Sequence, residues 1–144
     1  MVHTISSLSA MEALAAQFVR DVSANKEGAT VIALSGDLGA GKTTFAQGVA
    51  KALGVAGNIQ SPTFVIEKRY QLTGKNFSTL VHVDAYRLDS VAELEPLRFH
   101  ETLSNPDFLA LIEWPERIAQ ALPPRTQTIT FTFIDEETRQ VTLS

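Results

Sequence analysis

The fold of this chain is decided by residues 34–44, which read Leu34-Ser35-Gly36-Asp37-Leu38-Gly39-Ala40-Gly41-Lys42-Thr43-Thr44. Their core matches the pattern G-x-x-x-x-G-K-[ST], in which a glycine-rich loop surrounds phosphate groups with backbone amides. The largely apolar run over residues 30–34 is typical of a strand buried on both faces. Apolar residues then recur at helical spacing over residues 44–53. The sequence therefore predicts a P-loop, a phosphate-binding turn between a buried strand and a helix.

The residue types in this turn suit a triphosphate. Gly36, Gly39 and Gly41 have no Cβ atoms, so backbone amides can approach phosphate oxygens closely and form an anion-binding nest. Lys42 can reach the β- and γ-phosphates, and the Thr43 hydroxyl can hold Mg²⁺. We therefore expect ATP and Mg²⁺ as cofactors, with the nucleotide bound by Gly36, Asp37, Leu38, Gly39, Ala40, Gly41, Lys42, Thr43 and Thr44. The alternative is a glycine-rich turn without a ligand, which the strand-turn-helix context disfavours.

Length and composition restrict the class of protein. With 144 residues, we expect one domain over residues 1–144 that is large enough to bury a core. The net charge of −4 does not favour direct binding to nucleic acid, which depends on neutralising phosphates. The absence of cysteine excludes disulfides and thiolate metal sites. The N-terminal residues lack a basic segment followed by an apolar one, and no apolar run approaches the ~20 residues that span a bilayer. We therefore expect a cytoplasmic protein without a membrane partner.

Capping patterns and alternation locate the other elements. Ser9 to Glu12 and Ser90 to Glu93 each match a capping box. They predict a helix over about residues 10–24 and a short helix that Pro96 interrupts, with a further helical turn up to residue 103. Strands are predicted over residues 64–70, 80–84, 108–113, 127–134 and 139–143. The last two would form a C-terminal hairpin.

Two acidic residues end predicted strands. Ligands of open α/β sheets lie beyond the carboxyl ends of the strands, so Asp84 is either a functional acid or a cap for the helix that follows. Glu113 ends the buried run 108–113 and is either an acid that places Mg²⁺, as in a Walker B strand, or a solvated glutamate. Its combination with a P-loop favours the metal role.

Three further residues each allow two interpretations. Thr63 follows Pro62 in a polar loop and is either a turn hydroxyl or a switch threonine that senses the γ-phosphate. His82 fits a core or interface histidine better than a ligand. Trp114 is either a core anchor or a wall beside the nucleotide.

Four motifs stand in a specific order along the chain: Gly36-Asp37-Leu38-Gly39-Ala40-Gly41-Lys42-Thr43-Thr44-Phe45, Ser61-Pro62-Thr63-Phe64, Val83-Asp84-Ala85-Tyr86-Arg87-Leu88 and Leu111-Ile112-Glu113-Trp114-Pro115-Glu116-Arg117. Together they resemble the TsaE (YjeE) family, small bacterial P-loop ATPases needed to make threonylcarbamoyladenosine in tRNA. Many families share the P-loop, so the D-x-Y-R-L and E-W-P segments make the resemblance specific.

The resemblance implies a fold and a set of residue roles. The expected fold is α/β, a P-loop NTPase-like three-layer domain with a mixed, mainly parallel central sheet and a C-terminal β-hairpin. By motif matching, Lys42 would bind phosphates, Thr43 and Glu113 would hold Mg²⁺, Thr63 would belong to a switch-like loop, and Asp84 would act in hydrolysis. The expected catalytic residues are thus Asp84, Thr63 and Lys42.

The chain departs from the family pattern at two places. The family often has Gly-Arg in the turn of its terminal hairpin, near the nucleotide, where this chain has Thr138-Arg139. Arg139 is therefore a weaker candidate for nucleotide binding. The family usually has glycine in the neighbourhood of Arg98. Because this chain departs from that pattern, the resemblance does not determine the local backbone conformation.

The resemblance also implies partners of the TsaD and TsaB type, so that tRNA is met only indirectly, through the complex. No arginine finger can be identified in the sequence, and we therefore expect slow ATP hydrolysis by the chain alone and faster hydrolysis with partners. Two alternatives are a small-molecule kinase, which would usually carry an arginine-rich lid, and a non-catalytic module gated by nucleotide.

Overall fold

The structure is a computed structural model that describes residues 2–37, 39–55 and 67–143. Its strands are β1 (Val2–Ile5), β2 (Thr30–Gly36), β3 (Glu67–Gln71), β4 (Thr79–Asp84), β5 (Phe108–Glu113), β6 (Gln127–Asp135) and β7 (Thr138–Leu143). Its α-helices are α1 (Leu8–Asp21), α2 (Lys42–Ala52) and α3 (Phe99–Leu103), and 3₁₀ helices cover Val91–Leu97, Pro115–Arg117 and Ala119–Ala121. Leu38, Thr63 and the predicted strand start at Phe64 lie outside the described residues.

The strands form one mixed sheet in the order β1-β7-β6-β2-β5-β4-β3. The central strands β6, β2, β5 and β4 pair in parallel. Antiparallel pairs close both edges, with β3 beside β4 and with β1 beside the β6–β7 hairpin. The predicted mixed sheet with a parallel centre and a C-terminal hairpin is confirmed. Because parallel strands end at the same edge, the carboxyl ends of β2, β4 and β5 meet there.

Helices cover both faces of this sheet. Side chains alternate along each strand, so one face contributes Ile32, Leu34 and Leu111 to a core shared with α1 and α2. The opposite face contributes Val31 and Ile112 to a core shared with α3 and the 3₁₀ helix Val91–Leu97. The predicted three-layer α/β architecture is therefore confirmed. Within the described ranges, every helix is too short or too polar to cross a membrane.

The start of α1 differs from its prediction. The N-cap is Ser7 rather than Ser9: its backbone is extended, and its side chain accepts a hydrogen bond from the Ala10 amide at 3.0 Å. The helix consequently spans Leu8–Asp21 and not residues 10–24. The reason lies upstream, because β1 pairs with β7 and fixes where the chain can turn. A strand of four residues carries too little alternation to be predicted from its own sequence.

Arg98, where the family usually has glycine, adopts a left-handed backbone conformation. Its φ is 53° and its ψ is 45°, between the 3₁₀ helix Val91–Leu97 and α3. The sequence predicts that the helix is interrupted at Pro96. In the structure Pro96 lies inside the 3₁₀ helix, and the interruption falls after it, at Arg98. A left-handed residue with a Cβ atom costs about 1–2 kcal/mol. The Arg98 side chain contributes little stabilisation to offset this strain, since its ion pair with Glu101 is long, at 3.9 Å, and exposed.

Replacing Arg98 with glycine is therefore expected to stabilise the fold. Relief of the left-handed strain outweighs the extra entropy that glycine has in the unfolded chain, about 0.5–1 kcal/mol, and leaves a gain of up to about 1 kcal/mol. For a chain of this size that corresponds to a rise in Tm of about 2–4 °C. Thermal unfolding measures it, with Arg98→Ala as the control that removes the guanidinium but keeps the Cβ atom. An equal rise in Tm in both variants would attribute the destabilisation to the charge of Arg98 and not to its backbone conformation.

Candidate functional site

The P-loop joins β2 to α2 in the predicted order. Gly36 ends β2 with φ at 147°, and a Cβ atom built there would lie 2.2 Å from the Phe131 carbonyl oxygen of β6. Gly41 is the N-cap of α2, with φ at 104°. Both positions require glycine, one for close backbone approach and one for the left-handed turn. The loop therefore presents backbone amides at the N-terminus of a helix, which is a favourable site for an anion.

Lys42, the first residue of α2, points back over this loop. Its ammonium donates a hydrogen bond to the Gly36 carbonyl oxygen at 2.6 Å and lies 3.5 Å from the centroid of the Trp114 ring. Trp114 also packs at the edge of the core beneath the sheet and contacts the Tyr86 ring, with centroids 5.0 Å apart. Trp114 thus packs against the core and contacts the P-loop lysine, while its role as a wall beside the nucleotide stays a prediction.

The pKa of Lys42 lies below the ordinary lysine value of 10.5, because burial disfavours the charged form. The carboxylates of Glu113, Glu116 and Asp84 oppose this shift but do not cancel it. Burying the Lys42 ammonium thus lowers the stability of the folded protein. The ammonium lies close to the position that phosphates occupy in P-loops.

Replacing Lys42 with methionine is expected to stabilise the nucleotide-free protein at neutral pH, since methionine fills the space without a charge. With its native pKa lowered, Lys42 binds fewer protons in the folded than in the unfolded chain between that pKa and 10.5. The stability of the natural chain should therefore rise relative to the variant as pH increases towards 10.5. Thermal unfolding of both proteins from neutral to alkaline pH measures the difference. A constant difference would show that the buried charge is not its cause.

Thr43 and Glu113 meet although 70 residues separate them. Thr43 follows Lys42 in α2, and Glu113 ends β5, which runs parallel to β2 with Glu113 opposite Leu34. The Thr43 hydroxyl donates to Glu113 Oε1 at 2.8 Å. A hydroxyl and a carboxylate are the hard oxygen ligands that Mg²⁺ prefers. The two residues therefore fit the magnesium-holding roles predicted for them.

Asp84 ends β4 and lies beside Glu113, its register partner in β5. Its side chain is buried, with 5% of the residue exposed. Its Oδ1 accepts a hydrogen bond from the Tyr86 amide at 2.9 Å, so it caps the turn after β4. It does not cap the next helix, which starts after Ser90. The structure thus places a carboxylate at the P-loop edge of the sheet, as the sequence predicted.

Arg139 reaches the P-loop from β7. Its Nε donates to the Gly39 carbonyl oxygen at 3.0 Å, and its guanidinium carbon lies 4.5 Å from the centroid of the Phe133 ring. Its Nη1 donates to the carbonyl oxygens of Asp135 and Thr138. The terminal hairpin therefore contacts the phosphate-binding turn directly, despite lacking the Gly-Arg pair of the family.

These groups line one cavity of about 710 Å³, a volume that can hold a nucleotide. It brings together most of the predicted site residues with the start of α1, namely Gly39, Gly41, Lys42, Thr43, Thr44, Asp84, Glu113, Arg139, Ile5, Ser6, Ser7, Leu8 and Met11. Gly36, Asp37 and Ala40 shape the loop without lining this cavity. Leu38 and Thr63 fall outside the described residues, so their predicted roles stay predictions.

Sequence reasoning missed two parts of the site. The β1–α1 junction lines the cavity, but β1 is too short to be seen in the sequence. His82 touches Glu113, with Nε2 2.5 Å from Oε2. The spacing of His82 and Asp84 shows that the two side chains share one face of the strand, but the contact with Glu113 depends on the register between β4 and β5.

The sequence is similar to known proteins over most of its length. A family model described as "Threonylcarbamoyl adenosine biosynthesis protein TsaE" matches residues 5–141. The "tRNA threonylcarbamoyladenosine biosynthesis protein TsaE" of Haemophilus influenzae is 36% identical over 76% of this chain and 67% of its own. The protein of the same name from Treponema pallidum is 36% identical over 82% of this chain and 84% of its own. That of Synechocystis is 45% identical, but the match spans 57% of its length.

A solved structure shows the same fold. The crystal structure of Bacillus subtilis YdiB superposes with a TM-score of 0.78 at 26% identity and covers 99% of this chain and 83% of its own. The match includes both edges of the sheet, so the architecture extends well beyond the P-loop. With the family model spanning almost all of the sequence, the chain belongs to the TsaE family.

Proposed function

We propose that this protein binds and hydrolyses ATP as a subunit required to make threonylcarbamoyladenosine in tRNA, working as one domain over residues 1–144. One observation carries the proposal: Lys42, Thr43, Glu113 and Asp84 converge on the P-loop cavity from three different elements. The names of the relatives supply the pathway. The cytoplasm, where ATP and tRNA meet, is the proposed location.

The residues divide the work by their positions. The P-loop amides and the Lys42 ammonium would bind the phosphates and stabilise the charge that develops on the transferred group. Thr43 and Glu113 would hold Mg²⁺, which neutralises phosphate charge when bound. Asp84 would orient the attacking water and accept its proton. Gly39, Thr44 and Arg139 would border the nucleotide, and Thr63 would sense the γ-phosphate.

Partners of the TsaD and TsaB type complete the proposal. The net charge of −4 supports indirect contact with tRNA, because a protein that grips nucleic acid alone usually needs a positive surface. The described part of the site contains a single arginine, Arg139, which is bound to backbone carbonyls. This supports slow hydrolysis by the chain alone and faster hydrolysis in the complex.

Phosphate release tests the proposal directly. ADP and phosphate would be measured with Mg-ATP for the chain alone, with TsaD- and TsaB-type proteins, and with tRNA added. We expect low turnover alone and a clear increase with both partners. Hydrolysis that depends on an added small-molecule acceptor would indicate a kinase. Nucleotide-dependent association without hydrolysis in any mixture would indicate a non-catalytic module.

Nucleotide binding has a built-in optical reporter. The chain has one tryptophan, and its ring lies 3.5 Å from the Lys42 ammonium. Bound phosphates would attract this ammonium and change its contact with the Trp114 ring. Titration with ATP should therefore change the fluorescence of Trp114. The titration gives an affinity that is independent of turnover.

A further inference from the structure

A buried histidine lies directly behind the proposed magnesium ligand. His82 is 2% exposed and sits on β4, two residues before Asp84. Its Nε2 lies 2.5 Å from Oε2 of Glu113, which is itself 2% exposed. His82 does not line the P-loop cavity, whereas Glu113 does. The contact with Glu113 therefore links the His82 side chain to the cavity.

The two oxygens of Glu113 have different partners. Oε1 accepts from the Thr43 hydroxyl at 2.8 Å, on the side of the cavity. Oε2 meets His82 on the side of the core. The carboxylate is thus held at both oxygens, by a side chain from α2 and a side chain from β4. An acceptor pair fixed in this way cannot rotate without losing one of its contacts.

Burial makes the second contact necessary. A buried carboxylate is costly unless it is hydrogen-bonded, and the register partner of Glu113 is another acid, Asp84. Leu111, two residues earlier on the same face of β5, belongs to the apolar core. Among the described side chains in contact with Glu113 there, His82 supplies the polar partner. Because a carboxylate oxygen accepts, the Nε2–H of His82 is the donor in this contact and satisfies Oε2 of Glu113.

We propose that His82 is the positioning residue of the magnesium site. It fixes Oε2 of Glu113 so that Oε1 stays beside Thr43, ready for the metal. This rests on the proposed function, since it assumes that Thr43 and Glu113 hold Mg²⁺ for the nucleotide. A hydrogen-bond partner behind a ligating carboxylate fixes its orientation, and removing such a partner usually lowers metal affinity or activity about 10- to 100-fold.

The test compares two amides of different length. The amide nitrogen of His82→Gln can occupy the position of Nε2 and donate to Glu113, whereas the shorter side chain of His82→Asn cannot reach it. ATP affinity would be measured by Trp114 fluorescence over a series of Mg²⁺ concentrations and again in EDTA. We expect His82→Asn to need about 10- to 100-fold more Mg²⁺. His82→Gln should stay near the natural protein, and affinity in EDTA should be unchanged in all three.

Val83→Ala is the matched control, because it removes buried volume from β4 on the opposite face of the sheet. It tests whether loosening the strand is enough to change the metal requirement. Equal Mg²⁺ dependence of His82→Asn and His82→Gln would overturn the inference, as would the same loss in Val83→Ala. If the natural protein shows no Mg²⁺-dependent ATP binding, both the proposed function and the inference fail. A failure of the proposed role of His82 can therefore be distinguished from a failure of the proposed function.

Discussion

Replacing Lys42 with alanine is expected to abolish ATP binding at concentrations that saturate the natural protein. The side chain is buried at the mouth of the P-loop and carries the ammonium that would meet the phosphates. Removing one partner of a buried charge pair costs about 2–5 kcal/mol of binding free energy, which is a loss in affinity of about 30-fold or more. Hydrolysis should disappear with binding.

Calorimetry is the right measurement for this variant. Lys42 contacts the Trp114 ring, so its removal changes the fluorescence before any nucleotide is added. Lys51→Ala is the matched control, because Lys51 lies on the same helix but is 72% exposed and pairs with Glu12 at the surface. Normal affinity in Lys42→Ala would remove the P-loop assignment, and with it the basis for ATP and Mg²⁺ as cofactors.

Replacing Asp84 with asparagine is expected to separate hydrolysis from binding. Asparagine keeps an oxygen that can accept from the Tyr86 amide, so the turn after β4 should stay in place. It cannot accept a proton from water. A positioned general base contributes about 10²- to 10⁴-fold to a rate, so turnover should fall by about that factor while ATP affinity changes little.

Single-turnover phosphate release, with the Trp114 titration beside it, tests this separation. Asp89→Asn serves as the control, because it makes the same change at an exposed position five residues away. Full turnover in Asp84→Asn would exclude Asp84 from the mechanism. A parallel loss of ATP affinity would instead make it part of the binding site, since Asp84 also lies close enough to influence the charge on Lys42.

The P-loop was predicted from a local sequence pattern, whereas the parallel centre of the sheet was implied by the resemblance to the TsaE family. The strand β5 was predicted over its observed range, Phe108–Glu113, since a buried strand has a continuous apolar run. The terminal hairpin was predicted from alternation on either side of an acidic turn. The helix start after Ser90 was predicted from its capping box, in which Glu93 accepts from the Ser90 amide at 3.1 Å, but the 3₁₀ geometry was not predicted.

The start of α1 was predicted wrongly for a physical reason. Ser7 and Ser9 are equally good N-cap residues, and the choice depends on the direction from which the chain enters the helix. That direction is set by β1, whose pairing partner β7 lies at the other end of the sequence. A local pattern contains no information about such a partner.

Local patterns in the sequence were enough to predict the candidate site residues, which are the glycines of the turn, Lys42, Thr43, and the two acids that end strands. Binding phosphates and magnesium requires particular residue types. Because these residues stand at fixed short spacings or at strand ends, they form patterns that the sequence shows directly. The contacts between distant parts of the sequence, such as Arg139 with Gly39 and His82 with Glu113, were visible only in the folded chain. Those contacts depend on strand order and register, which arise when the whole sheet buries its two faces.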